Sequence, residues 1–122
     1  LKNLDFIKVN NIAALGWCMG GHPILELGLM QEKSVKSLIS YHGVFDGVKY
    51  YANESNDLGE TSPVASTSRT KILICNGRKD PFVQENDIEK AKNLLENKGC
   101  DVTILNFDDV KHGFTNPAQD YN

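Results

Sequence analysis

Gly16-Trp17-Cys18-Met19-Gly20-Gly21 is the stretch on which the reading of this chain turns. The apolar run Ile12 to Leu15 leads into it, and a segment with helical spacing, Ile24 to Met30, leads out. That context is strand, sharp turn, helix, with a cysteine at the apex. A nucleophile elbow of the G-x-S-x-G kind needs this setting, here with Cys where Ser usually stands. The glycines serve sterics, because an apical residue in a strained turn needs neighbours without a Cβ if strand and helix are to approach. The turn lifts the Cys18 side chain clear of the sheet and sets its sulfur near the N–H groups that open the next helix. Taken alone, the hexapeptide also fits a small buried cysteine in a quiet strand–helix turn. A phosphate loop fits worse, since the glycine spacing differs and no Lys follows.

Outward from the elbow, the pattern alternates. Ile12 to Trp17 reads as a short, nearly all-apolar strand, as expected of a central parallel strand covered on both faces. Gly21, Ile24, Leu25 and Gly28 share a helical face, and Pro23 sets the helix start within a residue or two of Met19. Val35 to Tyr41 is a second strand, ended by His42-Gly43. From Phe45 to Arg69 the periodicity dissolves into a polar excursion with one helical turn near Val48 to Tyr51, the kind of long loop that often forms a pocket wall or lid. Lys71 to Asn76 is a third strand, and Gly77 to Pro81 the turn after it. Val83 to Lys98 is an amphipathic helix with Ile88, Ala91, Leu94 and Leu95 on one face and Gly99 as its cap. Asp101 to Phe107 is a fourth strand, followed by a loop carrying His112. Strands alternating with helices predict an α/β fold with a mainly parallel sheet and right-handed crossovers.

The 122 residues suffice for one small core. A net charge of −3 with scattered lysines argues against a nucleic-acid partner. No apolar run is long enough to span a bilayer, and Leu1 to Asn10 mixes charged and apolar residues, unlike a secretory signal. Cys18, Cys75 and Cys100 lack C-x-x-C spacing, so the expectation is a reduced, cytoplasmic protein without a disulfide framework. The chain begins at Leu and shows no closing element after Pro117, so residues 1–122 are expected to form a single partial domain, truncated at both ends.

In an open parallel sheet, chemistry collects in the loops after the strand C-termini. Cys18 follows the first strand, Asp80 the third and His112 the fourth, in the order nucleophile, acid, histidine. The types suit acyl transfer. A thiol needs an imidazole to take its proton, and the imidazole needs a carboxylate on its other nitrogen to fix its tautomer. The backbone N–H of Met19, at the helix start, points where an oxyanion would form. Each position has rivals. His42 also ends a strand but precedes the acid, and reads as a pocket wall or core hydrogen bonder. His22 lies in the first helical turn and reads as solvated or capping. Asp108 and Asp109 are nearer His112 in sequence than Asp80, yet share its loop. Cys75 and Cys100 read as core and helix-end cysteines. A metal site from Cys18, His22 and His42 lacks known ligand spacing.

Four segments then carry a resemblance: Gly16 to Gly21, Tyr41-His42-Gly43, Asn76 to Pro81, and His112-Gly113-Phe114-Thr115-Asn116-Pro117. Together, and in this order, they resemble the dienelactone hydrolase family of α/β-hydrolases, over about Ile12 to the end. The resemblance covers the C-terminal half of a family member. It implies a Cys-His-Asp triad of Cys18 as nucleophile, Asp80 as orienting acid and His112 as base, with no cofactor and no metal. It also implies a small-molecule ester or lactone substrate, and neither nucleic acid nor membrane as partner. The second oxyanion donor and a glutamate that helps control the cysteine would belong to the other half. The bacterial enzyme holds its substrate carboxylate with an arginine four residues after the histidine; that position here is Asn116, which points to a broader carboxyl ester or lactone than dienelactone. Two other readings remain from the residues alone: a hydrolase half that is a binding or structural module, and a thiol redox protein using Cys18.

Overall fold

The computed structural model describes residues 3–51 and 69–118. Four strands, β1 (Ile12–Trp17), β2 (Val35–Tyr41), β3 (Lys71–Gly77) and β4 (Asp101–Phe107), form one sheet in the order β1-β2-β3-β4, every neighbouring pair parallel. Helix α1 (Gly21–Met30) follows β1, a single turn α2 (Val48–Tyr51) follows β2, and α3 (Glu85–Asn97) joins β3 to β4. The parallel α/β architecture matches the expectation. The part of the polar excursion between residues 52 and 68 lies outside the described residues.

Helix α3 starts two residues later than its periodicity suggests. After Pro81 the Phe82 N–H is taken by the Asp80 carboxylate, and Gln84 is still extended. Glu85 and Asp87 then fill the first turn, where carboxylates favour the exposed N–H groups. The helix closes as expected at Gly99, whose φ of +93° suits a residue without a Cβ.

The register sorts the strands into two faces. Leu38, Ile72, Ile74 and Val102 point to the side occupied by α1 and α3, where they meet Ile24, Leu25, Ile88, Ala91 and Leu95. Phe45 and Val48 close the end of this core. The opposite face carries Leu15, Trp17, Tyr41, Leu105 and Phe107, and no described helix covers it. Leu15 and Trp17 are each 49% exposed, although Trp17 stacks on Tyr41 with ring centroids 5.6 Å apart.

β1 reads in sequence as a central strand covered on both faces; among the described residues it pairs only with β2 and lies at an edge of the sheet, with one face open. Its apolar composition records that both faces are fit for burial. Position in the sheet depends on which strands pair with it, and among the described residues only β2 does.

Candidate active site

All four strands run the same way, so the loops after β1, β3 and β4 open at one edge of the sheet. The turn after β1 is a single 3-10 turn, Cys18–Gly20, leading directly into α1. Cys18 has φ +56°, a left-handed conformation that residues with a Cβ rarely adopt. Surrounding contacts hold it there. The Val44 N–H donates to the Cys18 carbonyl at 2.9 Å. A Cβ on Gly16 would lie 2.3 Å from the Gly20 carbonyl oxygen, and one on Gly21 would lie 2.8 Å from the Val44 oxygen. The glycines are therefore demanded by close approach of backbone to backbone.

The strained turn presents the Cys18 thiol to His112: Sγ lies 2.9 Å from Nε2. On the other side of the ring, Nδ1 donates to Asp80 Oδ2 at 2.7 Å. A carboxylate only accepts, so the ring proton sits on Nδ1, and Nε2 turns its lone pair toward the thiol. The Asp80 side chain is fully enclosed, and its Oδ1 accepts the Phe82 N–H at 2.8 Å. The base is also held by rings. Phe82 and His42 each approach the His112 imidazole edge to face, both with centroids 5.1 Å away.

The structure thus brings Cys18, Asp80 and His112 into one hydrogen-bonded line. Met19, the second residue of the 3-10 turn, has its side chain exposed and its N–H at the turn's start, where no intrahelical partner exists. The rival residues are engaged elsewhere. Asp108 pairs with Arg78, and Asp109 with Lys79 at 3.0 Å. His22 bonds Asp46 at 2.8 Å. Cys75 and Cys100 are buried, and burial pushes both thiols up from their ordinary values. No group of three or more His, Cys, Asp or Glu side chains among the described residues is arranged to hold a metal ion.

His42 is buried, at φ +40°. Its Nε2 lies 2.9 Å from Thr115 Oγ1, and its ring also meets Phe114 edge to face. Sequence reasoning singles out Tyr41-His42-Gly43 but does not connect it to the loop after His112; only the strand-end position hints at it. Asn116 accepts the Ala118 N–H through its own side chain.

Comparison with known proteins gives the family and the fold. The family model described as the dienelactone hydrolase family matches residues 1–122. An uncharacterized protein of Caenorhabditis elegans is 20% identical over 117 residues, covering 96% of this chain and 67% of that protein. The solved structure of P91, a dienelactone hydrolase-like promiscuous phosphotriesterase from metagenomic libraries, superposes with a TM-score of 0.68 at 23% identity, covering 96% of this chain and 44% of P91. A Bacillus cereus carboxylesterase gives a TM-score of 0.61 at 21% identity, covering 87% of this chain and 44% of that enzyme. The chain thus spans less than half the length of these solved structures, and the likeness is one of α/β-hydrolase fold.

Proposed function

Since this chain belongs to the dienelactone hydrolase family, we propose that it carries the nucleophile, acid and base of a hydrolase that cleaves a carboxyl ester or lactone. The observation that carries the reading is the line Cys18 Sγ–His112 Nε2 at 2.9 Å and His112 Nδ1–Asp80 Oδ2 at 2.7 Å. The similar structure named as a carboxylesterase is in keeping with a carboxyl ester, while P91 is named for phosphotriester cleavage.

The steps rest on these groups. His112 Nε2 takes the Cys18 proton as sulfur attacks the carbonyl carbon, and the carbonyl π pair moves to oxygen. The oxyanion is met by the Met19 N–H. Collapse expels the alkoxide, which takes the proton from His112 Nε2 and leaves a thioester on Cys18. His112 next removes a proton from water. The hydroxide adds to the thioester, and the thiolate departs and is reprotonated. Asp80 holds Nδ1–H throughout, so the ring stays in one tautomer and the imidazolium is stabilised. Asn116, uncharged and turned to its own loop, leaves that position without a cation for a substrate carboxylate. That favours neutral esters and lactones.

The test is turnover of p-nitrophenyl acetate under reducing conditions by this chain and by its Cys18→Ala variant. Loss of turnover in the variant is expected. Equal turnover above background in both would refute the assignment.

A second reading is favoured by the open sheet face and the edge position of β1. The chain is then one half of a hydrolase fold, competent when the remainder of the fold covers that face. A missing oxyanion donor alone costs roughly 10²–10³ in rate. Near-background rates that rise on adding the complementary half of a family member would support this reading.

A further inference from the structure

The turn after β2 touches both halves of the reactive pair. Val44 donates its N–H to the Cys18 carbonyl at 2.9 Å. Gly43 lies so close to Gly21 that a Cβ on Gly21 would be 2.9 Å from Gly43 Cα. Two residues back, His42 reaches the loop that carries the base, bonding Thr115 Oγ1 at 2.9 Å and laying its ring against His112 and Phe114. Residues 42–44 therefore span the gap between the nucleophile's backbone and the base's loop.

The backbone of His42 sharpens the point. A φ of +40° is uncommon for any residue with a Cβ, although histidine adopts it more readily than most. Its N–H donates to the Cys75 carbonyl at 2.8 Å, which helps hold the conformation. Strain of this kind persists where the side chain has a task.

The tautomer is set by its surroundings. His42 Nδ1 is buried with no hydrogen-bond partner among the described residues. A buried lone pair left bare costs less than a buried N–H left bare, so the proton belongs on Nε2, which donates to Thr115 Oγ1. Burial first, and the neighbouring His112 second, lower the pKa of His42, while its own backbone first and Asp80 second act in the opposite sense. The ring is thereby kept neutral beside a base that must itself become cationic.

We propose that His42 is a positioning residue that acts through Thr115 and the edge of His112 to set the base's distance from Cys18. The inference rests on Cys18 and His112 being nucleophile and base, and adds to them a residue outside the triad.

The test uses the rate at which iodoacetamide modifies Cys18 at neutral pH, read by peptide mapping, beside the thermal midpoint and p-nitrophenyl acetate kinetics. Thr115 is exposed, so Thr115→Val is a mild change that removes the acceptor. It is expected to slow modification about three- to tenfold, the range for one net hydrogen bond. kcat should fall with KM unchanged and the thermal midpoint held, and Thr115→Ser should restore the rate. His42→Phe keeps a ring but lacks the donor, and should move the rate in the same direction. A folded Thr115→Val that reacts and turns over like wild type overturns the inference and leaves the triad reading intact. If His112→Ala fails to slow modification of Cys18, both fall together.

Discussion

Replacing Asp80 by Asn removes one charge and no volume, and the local hydrogen bonds dictate the consequence. The carboxylate serves two donors at once, His112 Nδ1–H at 2.7 Å and Phe82 N–H at 2.8 Å, in a side chain with no exposure. An amide offers one oxygen and one NH2. If the oxygen keeps Phe82, the NH2 faces Nδ1 and drives the ring proton to Nε2, where it points at Cys18 Sγ 2.9 Å away. That tautomer cannot accept the thiol proton. Tautomer inversion of this kind lowers turnover by roughly 10⁴ when geometry is otherwise kept. If the oxygen instead keeps His112, the NH2 meets the Phe82 N–H donor to donor in a buried site, costing about 1–3 kcal/mol of stability. The assay is the initial release of p-nitrophenol with substrate in excess, beside a urea melt of each variant. Asp80→Asn should lose nearly all release or a measurable part of its stability. Asp108→Asn and Asp109→Asn, which face exposed Arg78 and Lys79, should change neither. An Asp80→Asn variant within about threefold of wild type in rate, and unchanged in stability, would refute the reasoning.

Gly16→Ala forces a Cβ to 2.3 Å from the Gly20 carbonyl, so it should destabilise by about 3 kcal/mol and be seen as a lowered urea midpoint. His42 carries a pH signature. Its pKa is lowered in the fold from 6.5, so as pH falls through 6.5 the unfolded chain binds the proton first and stability declines until the folded value is reached. Melts from neutral pH down to mildly acid should show the stability gap between wild type and His42→Phe narrowing over that window; a constant gap would count against the lowered value. Alkylation at mildly basic pH should mark Cys18 well before Cys75 and Cys100, which are each 5% exposed with raised pKa values, and equal labelling of all three in the folded protein would contradict the burial.

Most of the fold was legible because apolar runs and turn residues agree with one another along the chain. β1, β2 and β4 occupy the residues their patterns mark, and β3 runs one residue further, to Gly77. The spatial meeting of Cys18, Asp80 and His112 was legible from strand ends sharing one edge of a parallel sheet. Asp80 was harder to separate from Asp108 and Asp109 in sequence. The structure separates them because Arg78 and Lys79, from the Asp80 turn itself, engage the other two. Two things were not legible. The edge position of β1 depends on strand pairing, which composition does not encode. The tie from His42 to Thr115 joins residues 73 positions apart through a left-handed backbone angle, and no local pattern announces it.

The central claim is that Cys18 becomes acylated with His112 as its base. Brief exposure of the chain to p-nitrophenyl acetate, acid quenching and peptide mapping would locate any acetyl group directly. The account predicts acetyl on Cys18 in the wild type and none there in His112→Ala. Acetyl spread over lysines with Cys18 unmodified, or Cys18 acetylated equally in both proteins, would contradict it.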